Sequence, residues 1–464
     1  MIEIKHADII KSGERLFDNF SWTINAGEHW VITGANGSGK TLLLELLAGK
    51  VHLPKGELHM DFIAGNTWDE RHAERKRKIH YIPTHALQAF LANTPNLFYQ
   101  QRYYTLNESE TTPTVRSILG KEADQLEALN IPPSLSIAHL LDVEVTRLSN
   151  GQLKKVLFCK SILSEIPKVL LLDYPFEGLD PQSRNDLCAF LDFIATTYGI
   201  QIIMVDHYHQ LPTVINRRLV LEKFGVKKTE IVSAQSEMEL PLATTTTSII
   251  EESNGEPVIA IRDLKIQYGE KVILEHFNWH VNRGERWALV GRNGAGKTTL
   301  FSMIFADHPM AYTQNISLFG RRRGSGESIW DIKRRINYLG PELINYLSPK
   351  SIPQSGRWYI TNQNRNAPGE KLQTLVDYFD AGHYIDKPVN VFSSGQLQML
   401  LMMSCFLTEK ELILLDEPFQ FLDLEQRGRI TSFLQSQLHA DTTLILITHD
   451  AQDIAEWAAH TLRL

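Results

Sequence analysis

Cysteine is scarce: Cys159, Cys188 and Cys405 are the only three in 464 residues, and they lie far apart with no paired spacing. No disulfide framework or Cys-based metal site can be drawn from them. Each sits in an apolar, helix-like setting and reads as a buried reduced thiol. Long apolar runs are also missing. The longest, Leu397 to Leu407, is broken by Gln398 and falls short of the roughly 20 residues a membrane helix needs. Positive charge is not in excess: the net charge of −7 gives no electrostatic reason for general nucleic-acid binding. The first residues, Met1-Ile2-Glu3-Ile4-Lys5-His6, combine acid and base and hold no apolar core of signal-peptide length. A cytoplasmic chain is expected, one that can still sit on the inner face of a membrane through a partner.

What is present is ordinary for a folded protein, 43% apolar and 22% charged, in a chain long enough for two or three domains. An internal repeat organises it. Ile4, Lys40 and Ile79 recur as Ile261, Lys297 and Ile336, each 257 positions later. Ser149 then matches Ser393 at 244, Asp173 matches Asp416 at 243, and His207 matches His449 at 242. Two copies are expected, at 1–231 and 258–464, joined by a polar linker over 232–257 that carries Thr244 to Thr247 and Glu251-Glu252. The drop in offset puts extra residues in the first copy around Asn96 to Thr114. That stretch is aromatic from Phe98 to Tyr104, then acidic, and reads as a surface elaboration.

Within each copy, strands alternate with helices. In the first copy, strands at residues 2–5 and near 20–24 precede a strand from Glu28 to Thr33 and a helix from Thr41 to Leu47. Further on come a helix from Gly151, a strand ending at Asp173, a helix from Pro181 and a strand from Ile202 to Val205. The pattern predicts an α/β fold with a parallel core.

Four apolar residues, Leu412 to Leu415, deliver Asp416-Glu417 at the end of a short strand, the end at which open α/β sheets place ligands. Upstream, Gly34-Ala35-Asn36-Gly37-Ser38-Gly39-Lys40-Thr41 and Gly291-Arg292-Asn293-Gly294-Ala295-Gly296-Lys297-Thr298 both fit the phosphate loop G-x-x-x-x-G-K-[ST]. Its glycines let backbone N–H groups wrap phosphates at a helix N-terminus. The lysine reaches the β/γ-phosphates and the threonine hydroxyl binds Mg²⁺. Thr41 with Asp173, and Thr298 with Asp416, are the candidate metal ligands. Leu148-Ser149-Asn150-Gly151-Gln152 and Phe392-Ser393-Ser394-Gly395-Gln396 fit a helix N-cap and equally a γ-phosphate contact.

Together with the phosphate loops, these S-x-G-Q segments resemble the signature of the ATP-binding cassette ATPases over all but the linker. The resemblance implies two tandem P-loop NTPase domains. Each would have a parallel-core sheet, an antiparallel β subdomain and a helical subdomain, with ATP and Mg²⁺ as ligands. It also implies head-to-tail closure. One nucleotide would then lie between Gly291–Thr298, with Asp416, Glu417 and His449, and the segment Ser149, Gly151 and Gln152. The other would lie between Gly34–Thr41, with Asp173 and His207, and the segment Ser393, Gly395 and Gln396. By the same analogy Glu417 is the general base, His449 the γ-phosphate sensor, Lys297 a catalytic cation, and Tyr268 the aromatic that stacks on adenine.

The first copy departs from the pattern. Tyr174 stands in place of the base and Lys11 in place of the aromatic. A phenol with an ordinary pKa near 10 is a poor base at neutral pH, so one hydrolytic and one degenerate site are expected. The family glutamine after Ile82 and after Leu339 is replaced by Pro83-Thr84-His85 and Gly340-Pro341-Glu342. His207-Tyr208-His209 can also be taken for a metal pair, although His207 falls on the repeat position of His449. The basic runs Arg75 to Lys78 and Lys333 to Arg335 share a repeat position and read as a solvated surface more than a nucleic-acid patch.

The string Leu318 to Ile332, with Arg321-Arg322-Arg323, is similar to the second cassette of the ModF-like tandem ATP-binding proteins, also called photorepair proteins of the PhrA type. That likeness implies separate membrane permease subunits and an anion such as molybdate. The competing expectation is a tandem ATPase acting on nucleic acid or the ribosome. Closure within one chain and pairing with a second copy both stay open.

Overall fold

The computed structural model describes residues 1–11, 14–84, 86, 113–126, 129–145, 148, 150–206, 210–222, 225–232, 257–268, 271–340, 343, 353–364 and 368–464. The chain divides into two compact units, Met1–Glu237 and Met238–Leu464. Most of the expected linker, and nearly all of the Asn96 to Thr114 segment, lie outside the described residues.

In the first unit, β1 (Ile2–Lys11) pairs antiparallel with both β2 (Glu14–Ile24) and β4 (Lys55–Met60). The second sheet contains β3 (Trp30–Gly34), β5 (Ile79–Ile82), β6 (Val169–Asp173), β7 (Gln201–Val205), β8 (Arg217–Glu222) and β9 (Gly225–Ile231). Its order is β5-β6-β7-β3-β8-β9, parallel except for β9. Helix α1 (Lys40–Leu47) follows β3, and α2 (Trp68–Lys78), α3 (Val115–Leu119), α4 (Asn150–Leu163) and α5 (Pro181–Tyr198) come later.

The second unit repeats this plan. Strands β10 (Pro257–Tyr268), β11 (Lys271–Asn282), β13 (Asn315–Leu318) and β14 (Arg321–Arg322) form the antiparallel sheet β11-β10-β13-β14. The parallel sheet β15-β16-β17-β12-β18 contains β12 (Arg286–Val290), β15 (Ile336–Leu339), β16 (Leu412–Asp416), β17 (Thr443–Ile447) and β18 (His460–Arg463). Its helices are α6 (Lys297–Ile304), α7 (Ile329–Lys333), α8 (Gly356–Gln363), α9 (Gly369–Tyr378), α10 (Ser394–Phe406), α11 (Leu424–Gln437) and α12 (Ala451–Trp457).

A central strand here is apolar on both faces because both faces are covered. In β16, Leu412 and Leu414 pack into the core shared with the antiparallel sheet and α6. Ile413 and Leu415 pack into the core beneath the helical subdomain. In β6, Val169 and Leu171 join one core, Leu170 and Leu172 the other.

Strand β1 is longer than the expected 2–5 because a bulge hides its continuation. Ile2 and Ile4 are buried, then Ala7 and Ile9, so the inward parity switches between Ile4 and Ala7, where the register shifts. His6 turns the chain with φ +47° and Asn19 opposite with φ +52°, and His6 Nδ1 lies 2.7 Å from Asn19 Oδ1. The second unit keeps the device with the imidazole on the other strand: Asp263 (φ +50°) and His276 (φ +53°) make a 2.7 Å bond. Extra residues in one strand and a stronger local bend are what such bulges provide.

The basic runs are solvated in part, with Lys76, Arg77 and Arg334 exposed, and in part engaged by the fold. Arg75 turns inward and donates to the carbonyls of Leu47 (2.9 Å) and Leu46. Lys78 donates to Phe62 O at 3.0 Å, Arg77 pairs with Glu165 at 2.7 Å, Lys333 with Asp307, and Arg335 with Glu411. Arg323 is buried, with its guanidinium 3.1 Å from Glu327 and over the Tyr312 ring. These cations tie helices and loops to the sheets.

Candidate active site

In the second unit, buried β12 runs into Gly291, whose backbone passes so close to Leu464 that an added Cβ would lie 2.8 Å from its carbonyl oxygen. The loop ends at Gly296, left-handed at φ +94°. As the N-cap of α6 it has no side chain to occupy the first-turn N–H groups, which leaves them for an anion. Lys297 Nζ is held by its own loop, donating to Gly291 O at 2.6 Å and Arg292 O at 3.0 Å. Thr298 Oγ1 donates to Asp416 Oδ2 at 2.9 Å. Glu417 then leaves β16 with φ +51°, anchored by its N–H to Ile447 O on β17 at 2.9 Å. Its Oε1 lies 3.4 Å from His449 Nε2, with both side chains largely buried. The expected residues Gly291, Asn293, Gly294, Gly296, Lys297, Thr298, Asp416, Glu417 and His449 therefore share one end of the parallel sheet.

The first unit builds the same corner. Lys40 Nζ donates to Gly34 O and Ala35 O, both at 2.8 Å, and Thr41 Oγ1 lies 3.1 Å from each Asp173 oxygen. At Gly34 a Cβ would lie 2.3 Å from Leu221 O. Tyr174 adopts φ +50° and donates its N–H to Val205 O at 2.9 Å, the same turn that Glu417 makes. Asp173 also accepts from the hydroxyl of the half-buried Tyr81. Burial, the Asp173 and Glu45 charges and that bond push the Tyr81 phenol above its ordinary range. His207, and the metal reading of His207 with His209, lie outside the described residues, as do His85, Pro341, Glu342 and the Lys11 side chain.

Ser393 caps α10. Its Oγ accepts from Gln396 N at 3.2 Å while Gln396 Oε1 accepts from Ser393 N at 2.9 Å, so the helix-cap reading of this segment is realised. Ser149 and the Asn150 side chain lie outside the described residues. Gly151 is described, and it is tight: a Cβ there would lie 2.7 Å from Ser183 Cβ.

Tyr268 ends β10, its ring partly buried against the core that includes α6. Its hydroxyl lies 3.2 Å from His308 Nε2 and 3.4 Å from Thr299 Oγ1.

The sequence profile described as ABC transporter matches residues 17–177 and 274–420, both units. The chain belongs to this ABC ATP-binding family. It is 30% identical to the ABC transporter ATP-binding protein ModF of Escherichia coli over 95% of this chain and 92% of that one. It is 26% identical to an uncharacterized ABC transporter ATP-binding protein of Schizosaccharomyces pombe over 94% and 91%. Among solved structures, the RNase-L Inhibitor covers 99% of this chain at TM-score 0.57 and 19% identity, with 88% of its own length matched. ABCE1 in a model of ribosome-bound archaeal Pelota covers 95% at TM-score 0.61 and 19% identity, with 73% of its own length matched; these two likenesses concern the fold. The chain is thus an ATPase of two tandem ABC domains. No helix among the described residues is long and apolar enough to cross a membrane.

In this ABC ATPase several site residues are invisible to motif reading. Gln398 on α10 donates to Pro418 O at 2.6 Å, just beyond Glu417. In the first unit Lys154 on α4 takes that role, donating to Pro175 O at 2.7 Å and Glu177 O at 2.6 Å. Around His449, Thr448 Oγ1 donates to Asp453 Oδ2 at 2.9 Å. Arg427, on α11, donates to Asp453 (2.8 and 3.0 Å) and to Asp450 (3.0 Å). Burial pushes Asp453 up to about 6 against the opposing pull of Arg427. The repeat offsets pair Lys154 with Gln398 and Arg184 with Arg427, which is the signal that could have found them.

Proposed function

We propose that the second unit carries the hydrolytic centre and that the first holds its nucleotide mainly as a structural ligand. The observation that carries this is the pair Glu417 and Tyr174. Both follow the metal-site aspartate with the same left-handed turn, at φ +51° and +50°, and only one is a carboxylate. At the second unit, Glu417 takes the proton of the attacking water as its oxygen bonds to the γ-phosphorus and the bond to the β-phosphate oxygen breaks, releasing ADP. Lys297 and the first-turn N–H groups of α6 stabilise charge on the phosphates, and His449 beside Glu417 senses the γ-phosphate.

The oxygen donors Thr298 with Asp416, and Thr41 with Asp173, suit the hard cation Mg²⁺. When bound, it neutralises phosphate charge. Gly34, Asn36, Gly37, Gly39, Lys40 and Thr41 bind the second nucleotide with His207. The family resemblance alone supports assigning Ser149, Gly151 and Gln152 to the hydrolysed nucleotide and Ser393, Gly395 and Gln396 to the other.

The work driven is assigned to separate membrane permease subunits, with molybdate or another anion as cargo. The family description and the relative's name both say ABC transporter. Within the basic runs that would favour a nucleic-acid target, Arg75, Arg77, Lys333 and Arg335 are engaged by backbone carbonyls, Glu165, Asp307 and Glu411. Affinity capture of the full chain after mild detergent extraction tests this: permease subunits support it, and ribosomes or DNA overturn it.

A further inference from the structure

We propose that His308 is a positioning residue for the nucleotide base in the second unit, acting through Tyr268 and Thr299. The proposal rests on the reading that Tyr268 stacks on the base.

His308 is nearly buried, at 6% exposure, and its Nδ1 accepts the Met310 N–H at 3.3 Å, capping the short turn Pro309–Tyr312. An accepting Nδ1 carries no proton, so in the neutral ring the proton is on Nε2. Burial favours that neutral form. Nε2–H therefore donates to the Tyr268 hydroxyl at 3.2 Å, which leaves the phenol proton to point to Thr299 Oγ1 at 3.4 Å. Thr299 immediately follows Lys297-Thr298 in the first turn of α6.

The chain Met310 N–H, His308, Tyr268, Thr299 thus fixes the aromatic ring relative to the helix that receives the phosphates. Stacking gains energy only when the ring is held in the plane the base will meet, and pre-organisation lowers the ordering cost of binding. The first unit has Lys11, Leu42 and Val51 at the repeat positions of Tyr268, Thr299 and His308. All three polar members change together, as they would if they formed one device.

The test measures steady-state ATP turnover by the full chain, which reports the second unit. Variants are Tyr268→Ala, Tyr268→Phe, His308→Asn, Thr299→Val and the double variant Tyr268→Phe with His308→Asn; asparagine keeps an acceptor for the Met310 N–H and removes the donor to Tyr268. Losing one such bond should raise KM for ATP by about 3- to 10-fold, with the loss falling on KM rather than kcat. The double variant should be no worse than the poorer single one. Should His308→Asn unfold, as read by thermal melting, Thr299→Val reads the other end of the chain and should raise KM alike. A raised KM in Tyr268→Ala with unchanged KM in Tyr268→Phe, His308→Asn and Thr299→Val overturns the positioning role and leaves base stacking standing. Unchanged KM in Tyr268→Ala overturns the stacking reading itself. Additive effects of Tyr268→Phe and His308→Asn would also overturn the coupling.

Discussion

Lys154 and Gln398 occupy the same place in the two units and hold the same backbone carbonyl by different chemistry. Lys154 Nζ donates to Pro175 O at 2.7 Å and Gln398 Nε2 to Pro418 O at 2.6 Å. Each side chain leaves the helix that follows the S-x-G-Q segment and grips the turn after the residue that is Tyr174 or Glu417. The link therefore ties the signature helix to the strand-end turn inside each unit. In the first unit the tie is a buried ammonium reaching two carbonyls; in the second it is a neutral amide.

That difference sets a pH dependence. Burial lowers Lys154 to about 8, against the opposing charges of Glu177 and Asp206, whereas in the unfolded chain it titrates near its ordinary 10.4. Between these values the unfolded state binds more protons, so stability attributable to Lys154 rises with pH through roughly 8 to 10 and is lost below. Urea unfolding followed from pH 7.5 to 10 should show that rise in wild type and a flatter profile in Lys154→Gln. Lys154→Met should cost about 1–3 kcal/mol, because it removes the donor that Lys154 supplies to Pro175 O and Glu177 O; Lys154→Gln should cost less.

The phosphate loops and strand-end acids were legible in sequence because their spacing is a backbone requirement. Gly34 must pass against Leu221 and Gly291 against Leu464, and Thr41 and Thr298 must reach Asp173 and Asp416. Strand β1 was read too short because the bulge at His6 switches the inward parity, which a period of two cannot follow. Lys154 and Gln398 stayed hidden for another reason: what they share is a carbonyl partner, and unlike side chains at one position look like drift. His308 was hidden because its partner Tyr268 is 40 residues away.

Gly151 should tolerate no side chain while Ser183 is present. The 2.7 Å approach of a Cβ to Ser183 Cβ is overpacking between α4 and α5, and such overpacking costs about 1–3 kcal/mol. Gly151→Ala should lower the thermal midpoint of the first unit. Adding Ser183→Gly should recover part of it, less the roughly 0.5–1 kcal/mol that glycine costs in a helix. Equal loss in the single and double variants would show that the contact is not the cause.

Asp453 gives the second unit an acid-side dependence of opposite sign. Its folded value is raised to about 6, chiefly by burial, above the unfolded value near 3.9. The folded state then holds the extra proton between the two, so this group's contribution is full below about 4 and lost as pH rises through 6. Asp453→Asn should flatten that fall in urea midpoint. It keeps a side chain able to accept from Thr448 or Arg427, so the fold around His449 should survive while Arg427 loses one carboxylate.

The last prediction concerns Tyr174 and Glu417. The two backbones already coincide in turn and in hydrogen bond, so side-chain chemistry alone separates them. Glu417→Gln keeps the shape and removes the proton acceptor; losing general-base assistance costs about 10² to 10⁴ in rate, and steady-state turnover should fall by that factor. Tyr174→Gln removes a phenol that is no base, so turnover should stay within about twofold, because a group outside proton transfer carries none of that factor. Tyr174→Glu supplies a carboxylate on a turn that accepts one in the second unit. If that carboxylate is all the first unit lacks, Tyr174→Glu should restore measurable turnover on a Glu417→Gln background. No recovery, with ATP binding intact, would mean that Lys11 or the segment around His207 also withholds catalysis. Unchanged turnover in Glu417→Gln alone would remove Glu417 from the role of base.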